Sequence, residues 1–214
     1  MNTVAVLAGT PVDTQMGMDV LARAGRSALP FALAENPRAQ TAFQISSSQQ
    51  KHAAVLAVLE QAMAQGCGSA FVYCNSLSAA VDFPALSAET GLAIVTPLDV
   101  YRDLALRYER LGFMAANAQG LSGIERVLLG ANPALSALGA CALPVVLAIE
   151  EGLDPDELVE HYGLDRLAAW FAENGMEALL LGCTHFPYFK AALSRRTSLP
   201  LLDPAEEMLA RLPV

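Results

Sequence analysis

The chain predicts an α/β protein of two lobes, each a mostly parallel sheet flanked by helices, with the active site in the cleft between them. Three observations carry that expectation. Short apolar runs alternate with helical stripes along the 214 residues, the pattern of βαβ units. Polar clusters fall at the ends of predicted strands (Gly9–Gly17, Cys74–Ser78, Asn117–Ser122 and Cys183–His185), where parallel sheets bind ligands. Two cysteines 109 positions apart, Cys74 in FVYCNS and Cys183 in LLLGCTH, share one context. Each ends an apolar run, precedes small polar residues and leads into a helix-like segment.

The strands are expected at residues 3–8, 29–34, 70–73, 92–95, 112–116, 144–149, 178–182 and 199–202. Residues 51–65 place Val55, Val58, Leu59 and Ala62 on one face, the spacing of an amphipathic helix. Thr96-Pro97 reads as a cap followed by proline at the first helical position, opening a helix over 98–110. Asp154-Pro155-Asp156-Glu157 and Asp203-Pro204-Ala205-Glu206 are starts of the same kind. Asn174-Gly175 reads as a helix stop. The first lobe is expected to comprise residues 1–95 and 195–214, its last helix returning to it; the second comprises 96–194. Glu35 and Arg38 follow the second strand.

Composition narrows the function classes. Hydrophobic residues make up 54% and charged residues 16%, a core-forming balance rather than a disordered one. Acidic residues number 22 against 13 Lys plus Arg, a net charge of −9 with no basic stripe. Nucleic acid and anionic membranes are therefore not expected partners. The segment from Val127 to Ile149 is uncharged and long enough to span a bilayer. Gly130, Asn132, Pro133, Gly139 and Pro144 divide it, so two buried elements joined by turns are expected instead. The N-terminus shows no secretory signal, and four cysteines at irregular spacing fit reduced thiols in a cytoplasm.

Two thiols in matching halves suit one acid and one base on opposite faces of a carbon. That arrangement moves a proton from one face to the other, which is racemisation. Such chemistry at an amino-acid α-carbon often uses pyridoxal phosphate as an electron sink. The only lysines, Lys51 and Lys190, lie away from predicted strand ends, so no cofactor is expected. A thiolate can act as base if its pKa falls below the usual value of about 8.5, as helix N-termini and nearby cations cause. Both cysteines precede candidate helix starts, and His185 could add charge or relay a proton. Asn75, Ser76 and Thr184 offer short hydrogen-bonding groups for a substrate carboxylate. Asp13 and Thr14, read as part of the loop after the first strand, could receive an ammonium group. Cys74, Cys183 and His185 lack the close paired spacing of a zinc site, so no metal is expected. The turn at Gly9–Pro11 lacks the glycine spacing of a nucleotide loop.

GCTHFP (Gly182–Pro187) together with CNS (Cys74–Ser76) resembles the aspartate/glutamate racemase superfamily, and the second motif is most similar to the glutamate racemases. The resemblance implies a cofactor-independent two-base racemase of two pseudo-symmetric α/β lobes acting on an acidic amino acid, commonly as a homodimer. It implies catalytic roles for Cys74, Cys183, His185 and Asp13. It implies substrate-binding roles for Thr14, Asn75, Ser76 and Thr184, with Asn117 in the second-lobe loop that the family fills with threonines. Ser76 stands where glutamate racemases usually carry threonine. Asp13-Thr14 lies further from the first strand than the family's Asp-Ser pair, and Phe43-Gln44 is the nearest counterpart of its Tyr-Gly element. A one-thiol decarboxylase or cis–trans isomerase of the same superfamily, and a non-catalytic amino-acid-binding module, stand as alternatives.

Overall fold

A computed structural model describes residues 3–35, 39, 42, 43 and 45–213. Arg38 and Gln44 lie outside the described residues. The chain divides into two compact units, one of Met1–Asp99 with Ala205–Val214, the other Val100–Pro204. The sequence division placed the eighth strand in the first lobe. Its residues Leu201–Leu202 instead pair with Leu179–Leu180 in the second sheet.

The first unit is built on four parallel strands, β1 (Thr3–Ala8), β2 (Ala28–Ala32), β3 (Cys67–Val72) and β4 (Ala93–Val95), in the order β2-β1-β3-β4. Alternation along β1 sends Ala5 and Leu7 into a cluster with Val55, Leu59, Val72 and Leu86. The first two of these partners come from α2 (Ser48–Ala64), and Leu86 comes from α4 (Phe83–Thr90). Helix α2 starts three residues before the expected Lys51, because Ser47 and Gln50 form a capping box. Helix α1 (Pro11–Arg23) approaches the strands at Gly17. A Cβ there would lie 2.7 Å from Val6 Cγ1 and 2.9 Å from Tyr73 Cβ. Only glycine permits that approach without displacing the strand residues that lead to Cys74.

The second unit repeats the order with β5 (Arg110–Ala115), β6 (Ser136–Cys141), β7 (Ala178–Leu181) and β8 (Leu201–Leu202), arranged β6-β5-β7-β8 and all parallel. Its helices are α6 (Ala118–Ala131), α7 (Leu143–Glu150), α8 (Pro155–Tyr162), α9 (Leu164–Glu173) and α10 (Pro187–Ser194). Helix α5 (Pro97–Arg107) begins in the first unit and continues in the second; α3 (Asn75–Ala80) and, from Ala205 onward, α11 (Pro204–Arg211) belong to the first. The proline starts at 97, 155 and 204 open helices as their caps predict.

One expectation fails in the stretch from 127 to 149. The apolar run read as a strand over 144–149 is helix α7, with proline in its first turn. Val145, Val146, Ala148 and Ile149 are buried while Leu143 and Leu147 are exposed. That is helical spacing, which outweighs the β-branched composition. The strand lies earlier, at Ser136–Cys141, where small residues give no apolar alternation. Gly139 pairs with Phe113, and a Cβ on it would lie 2.7 Å from the Phe113 ring. Packing of that ring, not local propensity, selects the strand. Among the described residues no helix is long and apolar enough to cross a membrane.

Gly182 joins β7 to Cys183, and its N–H donates to the Met114 carbonyl at 2.8 Å. A Cβ on Gly182 would lie 2.5 Å from that oxygen and nearer still to Ile124 Cδ1. Gly182→Ala is therefore expected to lower stability by about 1–3 kcal/mol. Gly130→Ala, on helix α6 with open space around it, is expected to raise stability by about 0.5–1 kcal/mol. Guanidinium unfolding midpoints of the two variants check both signs.

Candidate active site

The first cluster gathers at the carboxyl end of β3. Tyr73 extends the ladder, its N–H donating to the Leu7 carbonyl at 2.8 Å. Cys74 then caps helix α3, and its carbonyl accepts from Ser78 N–H at 3.0 Å and Ser78 Oγ at 2.7 Å. These bonds fix the backbone that carries the sulfur. Cys74 Sγ lies 3.4 Å from Ser76 Oγ. Cys74 and Asn75 are buried and Ser76 is half-buried.

Asp13 comes from α1. The sequence reading put Asp13 and Thr14 in a loop, but Thr10-Pro11 starts a helix, and both residues stand in its first turn. Thr10 is the cap: its hydroxyl accepts from Asp13 N–H at 3.4 Å and donates to Asp13 Oδ2 at 3.3 Å. Asp13 is 5% exposed. Thr14 donates its hydroxyl proton to the Thr10 carbonyl at 2.7 Å, so that proton is committed within the helix.

Electrostatics at Cys74 reverse the expectation of a lowered pKa. Burial pushes the thiol up to about 11, and the Asp13 carboxylate adds to the rise. The Ser76 hydroxyl and the backbone of Leu77 and Gly9 oppose it without cancelling it. The physical reason is that α3 has six residues, a short dipole set against loss of solvent and a like charge. At neutral pH Cys74 is a proton-bearing thiol.

The second cluster gathers at the carboxyl end of β7. Residues 183–186 form a turn, with Phe186 N–H donating to the Cys183 carbonyl at 3.1 Å, and α10 follows from Pro187. Cys183 and His185 are buried and Thr184 is half-buried. Cys183 Sγ lies 3.7 Å from His185 Nδ1. His185 Nε2 lies 3.2 Å from Glu150 Oε1. The three groups form a line of thiol, imidazole and carboxylate in which the ring can take the thiol proton while the carboxylate steadies its far nitrogen. Glu150 did not emerge from the sequence. Its one signal is that Glu150-Glu151 are the first charges after the long apolar stretch. Asn117 caps α6, its side-chain oxygen accepting from Gly120 N–H at 2.9 Å. Among the described residues no group of three or more His, Cys, Asp or Glu side chains could hold a metal ion.

Each cysteine thus follows the third strand of a sheet with the same strand order, and residues 12–212 match the Asp/Glu/Hydantoin racemase family. The chain belongs to that family. A glutamate racemase of Limosilactobacillus fermentum is 27% identical over 149 residues, 65% of this chain and 53% of the relative. The matched stretch spans about half the length of that curated relative. The fold is that of the Francisella tularensis glutamate racemase, solved in complex with D-glutamate, with a TM-score of 0.73 at 17% identity. That likeness covers 98% of this chain and 79% of the other. An aspartate racemase homologue from Pyrococcus horikoshii gives a TM-score of 0.70 at 12% identity, covering 99% of this chain and 97% of that one.

The two cysteines therefore sit in two different environments, a thiol beside a carboxylate and a thiol beside an imidazole. In the ligand-free protein, alkylation of Cys74 by iodoacetamide should be slow at pH 7 and climb toward an inflection near 11. Asp13→Asn removes a negative neighbour of the thiolate, so its inflection should fall below that of the parent. Peptide mass spectrometry of the labelled protein across pH reads both.

Proposed function

We propose that this chain is a cofactor-independent amino-acid racemase that passes the α-proton of an acidic amino acid between Cys74 and Cys183. The observation that carries the proposal is the equivalent placement of the two thiols in sheets of identical strand order, each with a titratable side chain in its own unit. Family membership and curated relatives described as glutamate racemases support the reaction class and an aspartate- or glutamate-type substrate.

In the proposed cycle one thiolate takes the α-hydrogen as a proton, leaving its electron pair on the carbon beside the carboxylate. The other thiol delivers its own proton to the opposite face. The product is the enantiomer, and the two thiols have exchanged protonation states. The reverse reaction starts from that exchanged state. His185, backed by Glu150, serves Cys183 as proton store, and Asp13 holds the substrate ammonium near Cys74. Asn75, Ser76 and Thr184 bind the α-carboxylate, and Asn117 contributes from the start of α6.

One observation favours a second function. A buried Cys74 with a pKa of about 11 is a better proton donor than base at rest, as a one-thiol decarboxylase or isomerase requires.

Proton NMR in deuterated water decides between them. Each enantiomer of glutamate, aspartate and a small amino-acid panel is expected to lose its α-proton signal if it is a substrate. Cys74→Ser and Cys183→Ser should each slow racemisation by about a hundredfold or more, the usual loss of a general acid or base. Full turnover by Cys183→Ser would move the assignment to a one-thiol enzyme. Saturable binding with no exchange anywhere in the panel would leave only a binding module.

A further inference from the structure

The end of α7, which carries Glu150, is tied at two points to the segment that follows β7, once at the Cys183 turn and once at the start of α10. The first is the contact of His185 Nε2 with Glu150 Oε1 at 3.2 Å. The second is a hydrogen bond from the Tyr188 hydroxyl to the Leu153 carbonyl at 3.0 Å. Both join residues 35 apart in sequence, so the two segments lie in register.

Helix α7 closes in a Schellman motif. Gly152 adopts φ 80°, its N–H donates to Ile149, and the Leu153 N–H donates to Ala148, both at 3.0 Å. Leu153 therefore moves with the helix end, and a tie to its carbonyl is a tie to Glu150. The helix end needs such a tie. The dipole places partial negative charge there, and Glu150 and Glu151 add two carboxylates where cations are favoured. Tyr188 is 40% exposed and stands in the first turn of α10, just after the Cys183 turn. Its hydroxyl is the group that reaches Leu153, and replacement by phenylalanine removes that group while keeping the ring.

We propose that Tyr188 is a positioning residue that clamps the end of α7 and so keeps Glu150 against His185 and His185 against Cys183. The proposal rests on the reading of Cys183 as a reacting thiol. Without the hydroxyl, the Leu153 carbonyl turns to water and the helix end loosens. The carboxylate then holds the imidazole less firmly, and the ring accepts the thiol proton less well.

Tyr188→Phe, Glu150→Gln and the double variant are compared by the iodoacetamide rate at each cysteine, measured across pH by peptide mass spectrometry. Tyr188→Phe is expected to slow Cys183 labelling at pH 7 by about two- to tenfold, the worth of one hydrogen bond. Glu150→Gln should slow it at least as much. The double variant should match Glu150→Gln alone, because both changes act through one carboxylate. Labelling of Cys74 should stay at the parent rate and the melting temperature should fall by no more than a few degrees, about the worth of one hydrogen bond, whereas a general loosening of the fold would speed labelling at both cysteines. An unchanged Cys183 rate in Tyr188→Phe, or effects that add in the double variant, overturns the clamp. The readout needs no turnover. A protein that shows the coupling but exchanges no α-proton would retain the clamp and lose the racemase assignment.

Discussion

Parallel strand pairing is the constraint on which the rest of this molecule depends. Every strand in both sheets runs the same way as its neighbours. Each connection must therefore leave from one edge and return to the other by a crossover. Everything chemical follows from the edge it leaves. Asp13 lies beyond β1, Cys74 beyond β3, Asn117 beyond β5, Glu150 on the helix after β6, and Cys183 and His185 beyond β7. The two glycines that admit no Cβ near the thiols serve this geometry. Gly17 lets α1 bring Asp13 down beside the β3 end, and Gly182 lets β7 release Cys183 while still bonded to β5.

Identical strand order does not give the two thiols identical surroundings. Cys74 is set beside the Ser76 hydroxyl of its own short helix and the Asp13 carboxylate brought to it by α1, and burial dominates its acidity. Cys183 is set beside an imidazole whose second nitrogen meets a carboxylate carried 35 residues earlier. One half holds its thiol by helix caps, the other by a clamp between a turn and a helix end. A cation bound at Asp13 would offset the carboxylate's share of the Cys74 shift and leave the larger share, from burial, untouched.

Much of the frame was legible in the sequence because it is written in local chemistry. Cap-proline pairs marked three helix starts, and apolar runs ending in polar residues marked β1, β3 and β7 and the cysteines beyond them. What escaped was decided by contacts distant in sequence. Strand β6 consists of small residues and exists because Gly139 makes room for Phe113. Helix α7 has strand-like residues and is helical because proline starts it and one side is buried. Glu150 carries no motif of its own, since its partner His185 is brought to it only by the fold. The direction of the Cys74 shift was misread because a helix start is visible in the chain, whereas burial and the Asp13 carboxylate are not.

The inequality of the two thiols has a limit that thermodynamics sets for a racemase. Enantiomers have equal free energy in water, so the equilibrium constant of the proposed reaction is one. The kcat/KM values of its two directions must then be equal, whatever the protein does to either thiol. A neutral Cys74 and a histidine-backed Cys183 can still hold the two enantiomers unequally in their complexes. That difference reaches kcat and KM together, in the same ratio, and cancels between them. Asymmetry between the thiols is thus compatible with symmetric catalysis in the proposed reaction, where it would govern which enantiomer saturates first rather than which way the reaction runs.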